Sequence, residues 1–155
     1  DTALAGDTVA LSAAGGEDQA RQMLPALVRA LRDADERELE QLLADDVGEV
    51  EARRATRGGR PRASLVERML LYARRSIIAS DAPIEDLLDL NEIRVTRAAR
   101  FFQGRELPSG VRPTDLVVDA PLLEPGRTPL RTLLGWGGRG TVVVRPGRDP
   151  RIVAF

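Results

Sequence analysis

The chain has 155 residues, 43% of them hydrophobic, and a formal net charge of −1, which is typical of one folded domain. It contains no cysteine, histidine or lysine, so thiol nucleophiles, imidazole bases, Schiff-base lysines and the usual zinc ligand sets are excluded. No apolar run approaches the roughly 20 residues of a membrane helix, and we therefore predict no membrane span.

Residues 1–16 are rich in alanine, glycine, serine and threonine, which favours a flexible N-terminal segment ahead of a single domain at residues 17–155. The chain starts at Asp1, which suits either a trimmed chain or the mature end of an exported protein. Because the lack of cysteine neither requires nor contradicts an oxidising compartment, cytoplasmic and periplasmic locations both stay open.

Apolar residues recur at spacings of three and four between Glu17 and Asp33, which predicts an amphipathic helix. Pro25 either begins its regular part or kinks it. Asp35 can cap a second helix, because Glu38 three residues later completes an acidic capping box. This helix is expected to end near the adjacent carboxylates of residues 45 and 46.

Two further helices are predicted before residue 92. Ser64 and Glu67 form a second capping box ahead of apolar residues at helical spacing. Pro83 begins a short helix that runs to Leu90. The residues between the second and third helices are polar and glycine-rich, and they leave room for one short strand beginning near Val47.

Beyond Asn91 the apolar period changes from near 3.6 residues to 2, which indicates strands. Alternation predicts strands over residues 93–101 and 116–122. Residues 141–145 and 151–155 flank a Pro-Gly-Arg-Asp-Pro turn, which predicts a hairpin whose last strand lies inside the sheet. The fold class is therefore α+β, with helices first and strands last.

The segment from Gly135 to Gly140 matches the G-x-G-x-x-G pattern of dinucleotide-binding folds. That chemistry needs a helix after the glycines, whereas a valine-rich strand follows here. We interpret the segment as a strand connection around Trp136, and we predict no cofactor. The acidic residues also lack the spacing of a calcium loop, so no metal is predicted.

Acidic and basic residues are segregated along the chain. Residues 1–51 carry 13 acidic residues and four arginines, whereas residues 52–80 carry eight arginines and one acidic residue. Such blocks can pair within the fold or between two copies of the chain, so a second copy of the chain is a candidate partner in a homodimer. The arginines around Gly58 and Gly59 could meet phosphate, but they lack interleaved aromatics, so the sequence argues against nucleic acid as a partner. These arginines are Arg53, Arg54, Arg57, Arg60 and Arg62.

Some residues remain as candidates for a site. Asp119 or Asp115, with Tyr72 or an arginine, could serve as a catalytic carboxylate set. Tyr72, Trp136 and Phe101 could line an apolar ligand pocket, because aromatic rings give such pockets both area and polar handles. Ordinary core packing is the competing interpretation for Tyr72 and Trp136.

Residues 26–47, ending in Ala-Asp-Asp-Val, resemble the opening of the nuclear transport factor two-like superfamily, the fold of ketosteroid isomerases and polyketide cyclases. The resemblance implies helices packed on a curved antiparallel sheet, a cone-like α+β roll. The stretch after Val47 is a poor match for that fold's first strand, and residues 83–90 look like an insertion. Enzymes of the superfamily often use His-Asp or Tyr-Asp sets, and no catalytic position carries over to this chain.

The resemblance therefore implies a non-catalytic pocketed domain or an interaction module, which could form a dimer through the outer face of the sheet. We favour a non-enzymatic domain that binds a small apolar molecule or a protein. The first alternative is a small carboxylate-dependent isomerase or hydrolase acting on an apolar substrate in a cone-shaped pocket. The second is an exported envelope structural or assembly domain.

Overall fold

The computed structural model describes residues 2–51, 58–75, 82–123 and 129–155, without the side chains of residues 2–15, 75 and 129. Its helices are α1 (Thr2–Asp33), α2 (Glu36–Leu42), α3 (Arg62–Arg75), α4 (Ile84–Leu87), α5 (Ala98–Phe101) and α6 (Pro129–Leu134), with a 3-10 turn at Leu90–Glu92. Its strands are β1 (Leu43–Gly48), β2 (Arg60–Pro61), β3 (Arg94–Arg97), β4 (Leu116–Pro121), β5 (Gly135–Trp136), β6 (Arg139–Arg145) and β7 (Arg151–Ala154). The fold class is α+β, as predicted, but the helices do not all come first, because β1 and β2 precede α3 and because α5 and α6 lie between strands.

The seven strands form one open, curved sheet in the order β2-β1-β7-β6-β4-β3, and β5 also pairs with β6. The resemblance implied an antiparallel sheet, but the sheet is mixed, because β1 runs parallel to β7. The chain enters β1 directly from α2, and Leu43 lies beside Ile152, so both strands start from the same end of the sheet. The final hairpin of β6 and β7 is confirmed, with β7 inside the sheet.

The two faces of the sheet carry different cores. On the first face, α1, α2 and α3 bury apolar side chains against the sheet, including Leu24, Leu27 and Met69. The second face is covered by α5 and the loop after it, through Ala98 and Phe102. Alternation along β4 assigns Leu116, Val118 and Ala120 to the first core and Val117 to the second.

The predicted helices are present with changed boundaries. Pro25 lies inside α1, so the helix does not begin there. Asp35 is the N-cap of α2 and accepts a hydrogen bond from the backbone N–H of Glu38 at 3.1 Å, which confirms the predicted cap. Helix α3 begins at Arg62, so Ser64 lies in its first turn and is not its N-cap.

The boundaries of two strands were predicted wrongly. Leu43 ends α2 in an extended conformation, so Asp45 and Asp46 belong to β1 rather than to the end of a helix. Strand β3 stops at Arg97, which pairs with Leu116, the first residue of the antiparallel strand β4, and residues 98–101 form α5 instead. Phe101 is therefore a helical residue. Tertiary pairing set both limits, whereas the helical pattern of α2 and the alternation along β3 each continued past them in the sequence.

The start of the chain has a helical backbone in α1. The predicted flexibility of residues 1–16 concerns their motion rather than their secondary structure, and it stays a prediction. Among the helices described, none combines the length and the apolar character needed to cross a membrane.

Candidate functional site

Of the three aromatic residues predicted to line a pocket, Tyr72 lies apart from Phe101 and Trp136. Phe101 and Trp136 pack against the second core, and their ring centroids are 5.1 Å apart. Tyr72 lies on α3, whose buried residues join the first core, and the residue is 38% exposed. The three rings predicted to line one pocket are therefore not brought together.

Asp119 lies in the middle of an ion-pair cluster on the second face. The strand register puts Asp119 of β4 directly between Arg94 of β3 and Thr141 of β6. Its Oδ1 accepts hydrogen bonds from Nε and Nη2 of Arg94, at 3.1 and 2.9 Å, and from Nε of Arg139. Because the Asp119 side chain is only 3% exposed, these guanidinium groups replace the water that its charge has lost.

Thr141 completes this cluster without a hydrogen bond. Thr141 is 1% exposed, and its Oγ1 has no hydrogen-bond partner within the described part of the chain. A buried hydroxyl without a partner costs free energy, because it gave up its bonds to water on folding. We call Arg94, Asp119, Arg139 and Thr141 the closed cluster.

Asp115 is held in a comparable way near the other end of β6. Arg145 donates from Nε to Oδ1 at 3.1 Å and from Nη2 to Oδ2 at 2.9 Å, which is a bidentate pair. The backbone N–H of Arg112 also donates to Oδ2, at 2.7 Å. Arg145 Nη2 reaches the Gly110 carbonyl at 2.8 Å, so this contact fastens the loop before β4 to β6.

Trp136 belongs to an aromatic cluster and to a small cleft. The guanidinium of Arg105 stands 4.8 Å from the centre of its indole ring, within the range of a cation–π contact. Trp136 also lines a cleft of about 170 Å³ together with Arg60 and Phe155. The sequence correctly assigned the glycines around Trp136 to a strand connection, since β5 turns into β6 there.

Arg60 is one of the arginines around Gly58 and Gly59 that could meet phosphate, but most of its side chain is covered. Its Nη2 donates to the carbonyls of Gly48 at 2.8 Å and Phe155 at 3.1 Å, and its guanidinium lies 4.6 Å from the centre of the Phe155 ring. Burial lowers the pKa of Arg60. Arg60 therefore ties β2 to β1 and β7, while Arg53, Arg54 and Arg57 lie outside the described residues.

A larger cleft opens where β1, the start of α3 and the β6–β7 hairpin meet. Its volume is about 410 Å³, and four of its lining residues are arginines. We call it the arginine cleft. It is lined by Ala44, Asp45, Arg62, Arg145, Pro146, Gly147, Arg148, Asp149, Arg151 and Val153.

Three of these arginines have acidic partners. Arg62 Nη1 lies 3.0 Å from Asp45, and Arg151 Nη2 lies 2.9 Å from Asp149. The side chains of Asp45 and Asp149 are 92% and 75% exposed, so both pairs are in contact with water. Arg145 is paired with Asp115, as described above.

Arg148 differs from these three arginines. It is exposed at the tip of the hairpin, and no ion pair holds its guanidinium within the described ranges of the chain. With three acidic partners for four arginines, the cleft keeps an excess of one positive charge. Such a cleft can bind an anion through charge-assisted hydrogen bonds.

The comparisons with known proteins leave the site to be judged on this geometry. No family model matches the chain, and no curated protein matches it either.

The sequence did contain a signal for the cleft, because Arg145, Arg148 and Arg151 recur every third residue across the predicted hairpin turn. The signal was missed because Arg62 joins them only through the folding of β1 and α3 beside β7.

Proposed function

We propose that this protein is a non-enzymatic binding domain and that it holds an anionic ligand in the arginine cleft. The observation that carries the proposal is Arg148, an exposed arginine without an ion-pair partner in the described chain, at a concave site lined by three more arginines. Ligand sites are typically concave, with a few convergent polar groups, and this cleft has both properties.

The state of the buried carboxylates supports a binding function over a catalytic one. A general base needs an oxygen that can take a proton from a substrate. In Asp119, Oδ1 already accepts three guanidinium N–H groups and the side chain is only 3% exposed, and in Asp115 both oxygens accept hydrogen bonds. Neither residue lines either of the two clefts described above.

We also propose that the resemblance to the nuclear transport factor two-like superfamily reflects a shared fold. The two helices α1 and α2 ahead of the first strand, and the curved sheet, support that relationship. Between helices and sheet, however, the space holds packed side chains such as Leu24, Leu27 and Met69, which are fully buried. These packed side chains support a ligand site at the hairpin end of the second face rather than under the helices.

The proposal is tested by titrating the protein with anions while its backbone amide signals are followed by NMR. A suitable panel contains inorganic phosphate, benzoate and a glutamate-rich peptide. We expect at least one of them to shift the signals of the hairpin around Arg148, and added salt to weaken the effect because the attraction is electrostatic. The variant Arg148→Gln should lose this response.

Arg37→Gln is the matched control, since Arg37 is exposed on α2 and does not line the cleft. It removes the same charge from the protein as Arg148→Gln. If no anion of the panel shifts the hairpin signals, or if both variants weaken binding equally, the proposed function is wrong.

A further inference from the structure

We infer that the ligand of the arginine cleft is a small monocarboxylate with a compact apolar body. The inference rests on the proposed function and narrows it to one chemical class. It is built on the charge of the cleft, the partners its arginines already have, and its size and lining.

The charge of the cleft matches a single negative charge. Asp45, Asp149 and Asp115 each neutralise one arginine of the cleft, and Arg148 is left over. A ligand with one carboxylate would bring the site to neutrality. A polyanion would instead place further negative charge near the exposed carboxylates of Asp45 and Asp149, and like charges repel.

The arginines of the cleft already bind carboxylates within the protein. Asp149 contacts Arg151 at 2.9 Å, and Asp45 contacts Arg62 at 3.0 Å. The guanidinium fork matches the two oxygens of a carboxylate, as the bidentate pair of Arg145 with Asp115 illustrates in this chain. Arg148 offers the same fork to a carboxylate from outside the protein.

The dimensions and lining of the cleft favour a small ligand. Its volume of about 410 Å³ falls within the range of small-molecule sites, roughly 300–1,000 Å³. Ala44, Pro146 and Val153 give it apolar surface beside the arginines. An apolar body resting on these residues would leave the carboxylate of the ligand among the guanidinium groups.

Asp149 is the competitor of such a ligand. It is next to Arg148 in the chain and pairs with Arg151, so its exposed carboxylate holds one of the donors that the ligand would use. Exposed ion pairs contribute little to stability, and this one can open at small cost. Replacing Asp149 by asparagine should therefore strengthen ligand binding without unfolding the protein.

The test is a titration of the whole chain with benzoate, benzyl alcohol, phenyl phosphate and a glutamate-rich peptide, measured by calorimetry and by NMR. We expect benzoate to bind best and benzyl alcohol, its uncharged counterpart, not to bind. Arg148→Gln should weaken benzoate binding about tenfold, which is the effect of a strong charge-assisted contact. Asp149→Asn should strengthen it about threefold, and Arg37→Gln should leave it unchanged.

The outcomes separate this inference from the proposed function. If the peptide or phenyl phosphate binds at the hairpin and benzoate does not, the monocarboxylate is wrong while the anion-binding function stands. Benzoate binding that Asp149→Asn leaves unchanged or weakens also contradicts the inference. If none of the anions binds, both the inference and the proposed function fail.

Discussion

The second face of the sheet has arginine–aspartate pairs at both of its ends, and the two ends differ in their exposure. In the closed cluster, Asp119 is 3% exposed and two arginines converge on one of its oxygens. In the arginine cleft, Asp149 is 75% exposed, and Arg148 has no ion pair within the described residues. The same two residue types therefore stand in opposite environments.

The difference shows how burial determines the contribution of an ion pair to the stability of the fold. Removing one partner of a buried pair leaves a charge without water or a counter-ion, which costs roughly 3–5 kcal/mol. An exposed pair contributes about 0–1 kcal/mol, because water replaces the lost partner. We therefore expect the closed cluster to act on stability and the arginine cleft to act on binding.

The largest expected effect is that of Asp119→Asn. The variant keeps the size of the side chain but removes the charge that Arg139 and Arg94 share. We expect the free energy of unfolding to fall by about 3 kcal/mol in urea denaturation. Asp149→Asn is the control and should change it by less than about 1 kcal/mol. Equal losses in the two variants would contradict the contrast between the two ends.

Asp115→Asn should have an intermediate effect. It breaks the bidentate pair with Arg145 and weakens the bond from the Arg112 N–H. Because the Arg145 side chain is 33% exposed, water can solvate it after the change. We expect a loss of about 2 kcal/mol, and hydrogen exchange should speed up in the loop before β4. A loss as large as that of Asp119→Asn would show that exposure of the arginine does not matter.

Thr141→Val should stabilise the protein. Valine has nearly the shape of threonine and removes a buried hydroxyl that lacks a partner in the described chain. A gain of about 1 kcal/mol is expected from thermal or urea unfolding. Thr114→Val, at an exposed position, is the control and should change stability little. If Thr141→Val destabilises the protein, the hydroxyl has a partner, such as a bound water, that stabilises the fold.

The smallest effect on stability is expected for Arg148→Gln. Its side chain is exposed, so the free energy of unfolding should change by less than about 0.5 kcal/mol. The loss of anion binding described above would then come from the site rather than from unfolding. A fall in the free energy of unfolding of more than about 1 kcal/mol would show that Arg148 stabilises the fold. It would contradict the contrast between the closed cluster and the arginine cleft.

Much of the fold could be predicted because its signals are local. The cap at Asp35 depends on residues three apart, and the β6–β7 hairpin depends on the turn between its strands. The limits of β1 and β3 could not be predicted in this way. They depend on where β7 and β4 begin, and those strands are distant in the chain.

The sequence by itself determined the α+β class, the absence of histidine, cysteine and lysine chemistry, and the presence of two aspartates on or beside a buried strand. Only the tertiary structure decided which arginines and aspartates form ion pairs with each other. Strand register brings Arg94 and Thr141 to Asp119, and the parallel pairing of β1 with β7 brings Arg62 to the hairpin. Burial and counter-ions arise from contacts between distant segments, and these decide whether an arginine stabilises the fold or can meet a ligand.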